Sequence, residues 1–220
     1  MTELTNQYGM TETSPISFGT IAKESFERKT TTVGRIHPHV ECKIIDPEGR
    51  IVERGVPGEV LTRGYHVMDR YWNDTKKTEE FIDEKGWVHT GDIGQIDEEG
   101  YLTITGRLKD MIIRGAENIS PKEIEQFYTK HPQVADIQVI AVKDDFMGEE
   151  ICAWIQLRDH TDDPNEQAEI IEDLKKYSQG NIAHFKIPRY IRFVTEYPLT
   201  VSGKMKKNVM RDVSNDLLEK

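Results

Sequence analysis

Four polar stretches of this 220-residue chain carry residue types that can do chemistry. They are YGMTE (Tyr8 to Glu12), WVHTGD (Trp87 to Asp92), GRLKDMIIRGAENISPKEIE (Gly106 to Glu125) and PLTVSGKMKK (Pro198 to Lys207). The first sits inside QYGMTETSP (Gln7 to Pro15), which gathers a tyrosine, a glycine, several hydroxyls, one carboxylate and a proline. Small and hydroxylated residues let backbone N–H groups and hydroxyls approach an anion closely, so the stretch reads as a candidate phosphate loop. Each stretch also has a plain structural use: Thr11 and Glu12 could satisfy a turn, Asp92 could complete one after Gly91, and the SGK could be a loop with a solvated lysine. Short motifs taken singly do not separate these uses.

The elements that must position these residues change character after Arg107. Before it, short strands alternate with turn signals. VECKIIDPEGRIV and GQIDEEGYLTITG each place a turn cluster between apolar flanks and predict hairpins. NDTKKTEEFI predicts a short helix with Asp74 or Thr75 near its N-terminus. After Arg107, helix and strand signals alternate. Ser120, Pro121 and Glu123 supply an N-cap, a proline at N1 and a capping-box glutamate, so a helix is predicted from there to about Lys130. VADIQVIAV and EEICAWIQL read as buried strands. Asp163, Pro164 and Glu166 start another helix that Gly180 can stop, RYIRFV is a strand, and Val209, Val213 and Leu217 recur at helical spacing. DHTDDPNEQ is read as a solvated surface loop.

The totals exclude several classes. A formal charge of −10 argues against a nucleic-acid binder, which offsets phosphate charge with a basic face. Cys42 and Cys152 are too few for a disulfide framework and lack CxxC spacing, which points to a reducing compartment. No apolar run reaches the roughly 20 residues that span a bilayer, and the first thirty residues hold neither a secretory h-region nor an Arg-rich presequence. His37, His39 and His66 lack metal-ligand spacing and read as loop or surface residues, and His89 is expected to orient its turn. Ser14, Ser17 and Ser202 have no evident His and Asp partners for a hydrolase triad.

Together and in this order, the four stretches resemble the later core motifs of the adenylate-forming enzymes, the superfamily of acyl-CoA and aryl-CoA synthetases, luciferases and peptide-synthetase adenylation domains. The resemblance covers nearly the whole chain, including GEVLTRGYHVMDRYWND (Gly58 to Asp74) and HFKIPRYIRFV (His184 to Val194). MIIRGAENISPKEIE resembles the CoA-ligase branch, and within it the medium-chain fatty acyl-CoA synthetases. An α+β fold is implied: a strand-rich, distorted β-barrel subdomain over residues 1–108, then a small mobile α+β C-terminal domain over residues 109–220. In such enzymes YGMTE lies well past the middle. The resemblance therefore implies a missing N-terminal part, with a Ser/Thr/Gly-rich phosphate loop ending in Pro-Lys-Gly and most of an acyl pocket.

The implied reaction joins a fatty acid to ATP as acyl-AMP and then to CoA, with Mg²⁺ as the metal. By resemblance, Tyr8 stacks on adenine, Gly9 allows close backbone approach, Thr11 donates to a phosphate oxygen and Glu12 holds Mg²⁺. Asp92 accepts from both ribose hydroxyls, and Arg107 donates to the ribose or its phosphate; a plain surface salt bridge is the alternative for this pair. Lys109 falls at the hinge position, with Asp110 a second candidate. Lys204 matches the adenylation lysine, on a loop kept flexible by Ser202 and Gly203; Lys206 and Lys207 stand close by, and only the register of PLTVSGK selects among them. Arg114, Gly115 and Ala116 match the pantetheine channel, where Ala116 departs from a second glycine. Phe185 and Lys186 are further CoA contacts, with core packing the alternative for Phe185. The resemblance places the enzyme in the mitochondrial matrix, with cytoplasm as the alternative. A non-catalytic binding module and an adenylating enzyme with another acyl acceptor are the rival functions. Chain-length preference and oligomeric state are not written in these residues.

Overall fold

The computed structural model describes residues 4–201 and 203–218. The chain divides into two compact units, Met1–Lys109 and Asp110–Lys220. In the first, the two-residue strands β1 (Gln7–Tyr8), β2 (Phe18–Gly19) and β3 (Arg35–Ile36) pair antiparallel in that order. Strands β4 (Val40–Ile45), β5 (Gly58–Gly64), β6 (Val88–Ile96) and β7 (Leu102–Arg107) form a second antiparallel sheet in chain order. One seam joins them: Val33 N–H donates to the Leu102 carbonyl at 2.8 Å, and Leu102 N–H to the Gly34 carbonyl at 2.9 Å. Phe18, Ile44, Val60 and Leu102 bury themselves together as a single cluster drawn from both sheets. The barrel is therefore open, because strands of two residues offer too few ladder bonds to close a ring.

The predicted turns form, with one change of partner. GQIDEEGYLTITG is the β6–β7 hairpin, closed by Asp97 N–H to the Tyr101 carbonyl. The DPEG turn forms too, but the returning segment contributes only an isolated bridge, Ile45 to Ile51. Gly55 and Pro57 follow at once, and neither extends a ladder, so β4 takes β5 as its partner along its full length. Two short helices complete the unit, α1 (Phe26–Thr31) and α2 (Thr75–Phe81). Asp74 caps α2 by accepting the Lys77 N–H at 3.0 Å.

The second unit is built on a long hairpin of β10 and β11, reached through two short strands and a helix. These are β8 (Ile112–Arg114), β9 (Glu117–Ile119) and α3 (Pro121–Tyr128); then come β10 (Val134–Asp144), β11 (Gly148–Leu157), α4 (Pro164–Ser178), β12 (Tyr190–Phe193) and α5 (Lys207–Leu218). Strand β12 lies parallel beside β11, and β8 pairs with the start of β11. Residues Glu150 to Ile155 are buried without alternation, as in strands covered on both faces. Ile151, Ala153 and Ile155 join a cluster with Ile124, Tyr128 and Leu174 of α3 and α4. Cys152 and Trp154 join another with Met210 of α5.

Two sequence expectations shift by a residue or a role. Ser120 stands at the N-cap of α3 without a side-chain cap bond, and Glu123, read as its capping-box partner, instead accepts from Lys186 Nζ at 2.6 Å. On α5 the buried positions are Met210 and Ser214, flanked by the half-buried Val209 and Val213, while Leu217 is exposed. The stripe is centred one residue beyond the Val209-Val213-Leu217 line because Trp154 reaches α5 through a hydrogen bond from its indole N–H to Ser214 Oγ, 2.9 Å.

Candidate functional site

In the first unit the polar centre is Asp92. Inward and outward positions alternate along β6, and Val88, Thr90, Asp92 and Gly94 point in, so a carboxylate falls where the strand would otherwise bury an apolar group. Opposite β5 the strand bulges: Leu61 faces His89 and Glu59 faces Ile93, leaving Thr90 to Asp92 against Val60 alone. Gly91 supplies the left-handed turn in that bulge, at φ 68°. Thr90 Oγ1 fixes it by donating to the Val60 carbonyl at 2.7 Å and accepting the Asp92 N–H at 3.1 Å. Glu59 holds the far side, accepting from Gly91 N–H at 3.2 Å and bonding His89 Nδ1 at 3.1 Å. His89 thus orients the turn.

The carboxylate is 9 % exposed and is met on both oxygens. Arg107, its direct cross-strand partner on β7, donates Nε to Oδ1 at 2.6 Å, and Tyr8 donates its hydroxyl to Oδ2 at 2.7 Å. Burial, then the Asp92 charge, pushes the Tyr8 phenol well above its ordinary range, so it remains a donor. Each carboxylate oxygen can accept a second bond. The burial of Asp92 sets this pair apart from a solvated surface salt bridge.

The loop after Tyr8 is a 3-10 turn over Thr11–Thr13. Thr13, 1 % exposed, is its keystone: Oγ1 accepts the Met10 N–H at 3.1 Å and lies within donating distance of the Met10 and Pro15 carbonyls. Thr11 and Gly9 are exposed, and Glu12 is half-buried. The close approach that Gly9 permits is to its own loop, since a Cβ there would stand 1.8 Å from the Pro15 carbonyl oxygen, a backbone atom that cannot swing aside. Gly9→Ala is expected to cost about 3 kcal/mol of stability, read as a lower urea midpoint at constant m value; an unchanged midpoint would contradict this packing.

Glu12 Oε1 accepts the Tyr71 hydroxyl at 2.8 Å, and Met68 N–H donates to the Glu12 carbonyl at 2.9 Å. The Tyr71 phenol is pushed up to about 12, by burial first and the Glu12 carboxylate second. A half-buried carboxylate fixed by one neutral donor suits Mg²⁺, which takes one or two protein carboxylates and fills its remaining positions with phosphate and water oxygens. Among the described residues no cluster of three or more His, Cys, Asp or Glu is arranged to hold a metal.

In the second unit, Gly115 and Ala116 are the two central residues of the turn joining β8 to β9, with Arg114 paired to Glu117. Gly115 has φ 62° and Ala116 has no positive φ, the pattern of a type II′ turn, which asks for glycine only at the first position. The alanine in place of a second glycine therefore costs the turn nothing. Arg114 donates Nε to Glu150 Oε1. Lys109 lies in a 3-10 turn over Leu108–Asp110, and Asp110 accepts from Arg211 at 3.0 Å.

Lys204 is exposed on a short loop closed by an isolated bridge from Leu199 to Met205. Thr200 and Lys204 share two bonds, with Thr200 N–H donating to the Lys204 carbonyl at 2.8 Å and Lys204 N–H to the Thr200 side-chain Oγ1 at 2.9 Å. Gly203 takes φ 80°; Ser202 lies outside the described residues. Lys207 is a different kind of lysine: its ammonium donates to Glu125 at 3.0 Å and to the Val139 carbonyl at 3.2 Å. Lys206 is exposed like Lys204. Phe185 packs against the α3–α4 cluster, as its alternative reading had it, and Lys186 is paired to Glu123.

Sequence reasoning missed Thr13, which bonds within its own loop, and Tyr71 and Thr90, whose partners Glu12 and Val60 lie 59 and 30 positions away. It also misplaced His66, which is 5 % exposed, not a surface residue. Its Nε2 lies 3.1 Å from Ser17 Oγ and 3.3 Å from Thr62 Oγ1. Ser17 does have a histidine partner, yet the Nδ1 of His66 is buried with no acid upon it and Ser17 is 1 % exposed, so the pair lacks both the orienting carboxylate and the access that a nucleophile needs.

The chain resembles known proteins along nearly its whole length. A model described as AMP-binding enzyme matches residues 1–72, and one described as AMP-binding enzyme C-terminal domain matches residues 123–204. The chain is 50% identical over 213 residues to the mitochondrial medium-chain acyl-CoA ligase ACSF2 of Bos taurus, covering 96% of this chain and 34% of that protein. It spans about a third of the length of such curated relatives. The crystal structure of ATP-bound MatB from Rhodopseudomonas palustris matches with a TM-score of 0.86 at 33% identity, over 97% of this chain and 41% of that one. That of o-succinylbenzoate CoA synthetase (MenE) from Bacillus subtilis in complex with ATP and magnesium ion matches with 0.78 at 30%, over 94% and 41%. On the evidence of both motif order and these matches, the chain belongs to the adenylate-forming, AMP-binding enzyme family.

Proposed function

We propose that this chain supplies the nucleotide-holding loops and the C-terminal domain of an ATP-dependent fatty acid:CoA ligase of the medium-chain type, working in the mitochondrial matrix. The observation that carries the reading is the buried Asp92, fixed by Tyr8 and Arg107 across a strand bulge, a carboxylate held ready for a vicinal diol. In the first step the fatty acid carboxylate attacks the α-phosphate of ATP, releasing pyrophosphate and leaving acyl-AMP. Asp92 and Arg107 grip the ribose end, the exposed Thr11 donates to phosphate, and Tyr8 borders the nucleotide. Glu12, fixed by Tyr71, would hold Mg²⁺, which would supply positive charge against the phosphates. The exposed ammonium of Lys204 bridges the incoming carboxylate and the α-phosphate, compensating two anions and the charge that grows in transfer. In the second step the CoA thiol displaces AMP, guided by the Arg114-Gly115-Ala116 turn. Lys109 is the hinge at which the backbone turns between the two steps.

The 220 residues contain no Ser/Thr/Gly-rich loop ending in Pro-Lys-Gly, so on their own they are expected to bind without completing the reaction. Calorimetric titration of the chain with AMP and with CoA tests the reading. Saturable binding of both, without acyl-CoA formation when fatty acid and ATP are added, is the expected result. Binding of neither would leave a passive interaction module as the better account.

A further inference from the structure

The turn assigned to CoA is held by a closed ring of polar contacts that runs through side chains with no direct part in the reaction. From Arg114 the path goes to Glu150, 2 % exposed on β11. Glu150 Oε2 lies 3.9 Å from Arg189 Nη1, and the same nitrogen donates to Asp144 Oδ2 at 2.9 Å. The other oxygen of Asp144 accepts the Met147 N–H at 2.8 Å, and the Met147 carbonyl accepts the Gly115 N–H at 2.8 Å. Gly115 follows Arg114, so the ring closes. The Met147 N–H is the first cause that holds the Asp144 carboxyl below its usual range, ahead of the Arg189 charge.

A buried carboxylate between two guanidinium groups is an expensive way to stabilise a sheet, since burying charges costs several kcal/mol per ion and well-packed apolar groups often do as well. What the ring does provide is rigidity at one place. It ties the tip of the β8–β9 hairpin to the tip of the β10–β11 hairpin by two independent routes, one through the side chain of Arg114 and one through the main chain of Gly115. A Cβ on Gly115 would meet the Met147 methyl at 3.1 Å, so the two tips already lie in contact.

We infer that Glu150 and Asp144 are positioning residues for the CoA step, holding the Arg114-Gly115-Ala116 turn in the geometry that receives the pantetheine chain. This rests on the CoA-ligase reading above. The residues around Asp92 that are proposed to hold the nucleotide belong to the first unit and include no member of the ring. Opening the ring therefore acts on CoA and leaves AMP alone.

The test uses the 220-residue chain with Glu150→Gln and, in case that buried change impairs folding, Asp144→Asn, which opens the ring at its more accessible side. Affinities for CoA and AMP are measured by calorimetry, and exchange of the Gly115 amide by NMR. The expected result is a loss of CoA affinity of about 10- to 100-fold, as misplacement by an ångström produces, with AMP affinity unchanged and Gly115 exchange faster by about 10-fold. Glu150→Asp, which keeps the charge, recovers part of the loss. Folded variants that bind CoA as tightly as the wild type overturn the proposal alone. Equal losses for CoA and AMP overturn it as well, by showing general destabilisation. A wild-type chain that binds AMP but not CoA overturns the CoA reading and this inference with it.

Discussion

Asp92→Ala is expected to weaken AMP binding by the 220-residue chain at least about 100-fold, because two hydrogen bonds from ribose hydroxyls to an ionised acceptor are each worth roughly 1.5 kcal/mol or more. The effect reaches beyond the lost acceptor, because Tyr8 and Arg107 both donate to this carboxylate and lose that bond with it. Asp92→Asn separates the contributions. Its side chain keeps the shape and one acceptor oxygen, which can stay on Arg107 while the NH₂ donates to the Tyr8 phenol oxygen. It loses the charge and one acceptor for the ribose, so its loss should fall between those of wild type and alanine. Tyr8→Phe removes one outer contact and is expected to cost no more than about 10-fold. Calorimetry against AMP distinguishes the three, with thermal melting as the check that each variant folds. Equal AMP affinity in wild type and Asp92→Ala would remove Asp92 from the site.

The local geometry of several candidate site residues could be read from the sequence because its parts lie close together in the chain. Asp92 and Arg107 lie on two strands joined by a turn that the DEEG cluster announces, and a hairpin brings its ends together whatever the rest of the fold does. The turn at Gly115 and the helix start at Pro121 are local for the same reason. What could not be read depends on pairing between distant segments. Tyr71 meets Glu12 across 59 positions and Ser17 meets His66 across 49, and no period or spacing links such residues. The open front sheet is of this kind too: the hydrophobic pattern marks strands, but whether they close is decided by lengths as short as two residues. Glu123 shows the reverse case, a local capping signal overridden when Lys186 offers a charged partner from afar.

Of the three lysines near the C-terminal loop, the fold sets one apart. Lys207 spends its ammonium on Glu125 and the Val139 carbonyl; changing it should cost stability and spare adenylation. Lys206 and Lys204 are both exposed, and both tie the loop through their backbone N–H groups, Lys204 to Thr200 Oγ1 at 2.9 Å and Lys206 to the Pro198 carbonyl at 2.8 Å. The register of PLTVSGK therefore still selects Lys204 between them. An ammonium that meets a developing charge contributes to the transition state more than to the ground state. The account therefore expects Lys204→Ala to slow acyl-adenylate formation roughly 100- to 1000-fold, the range seen when a single preorganised donor is removed, with little change in the transfer of preformed acyl-AMP to CoA. Lys206→Ala should slow neither step. The direct measurement is single-turnover pyrophosphate release from ATP and fatty acid, in a chimera joining these 220 residues to the remainder of a full-length relative. A rate for Lys204→Ala at least 100-fold below that of the unchanged chimera is the predicted result; pyrophosphate release at an undiminished rate would contradict the account.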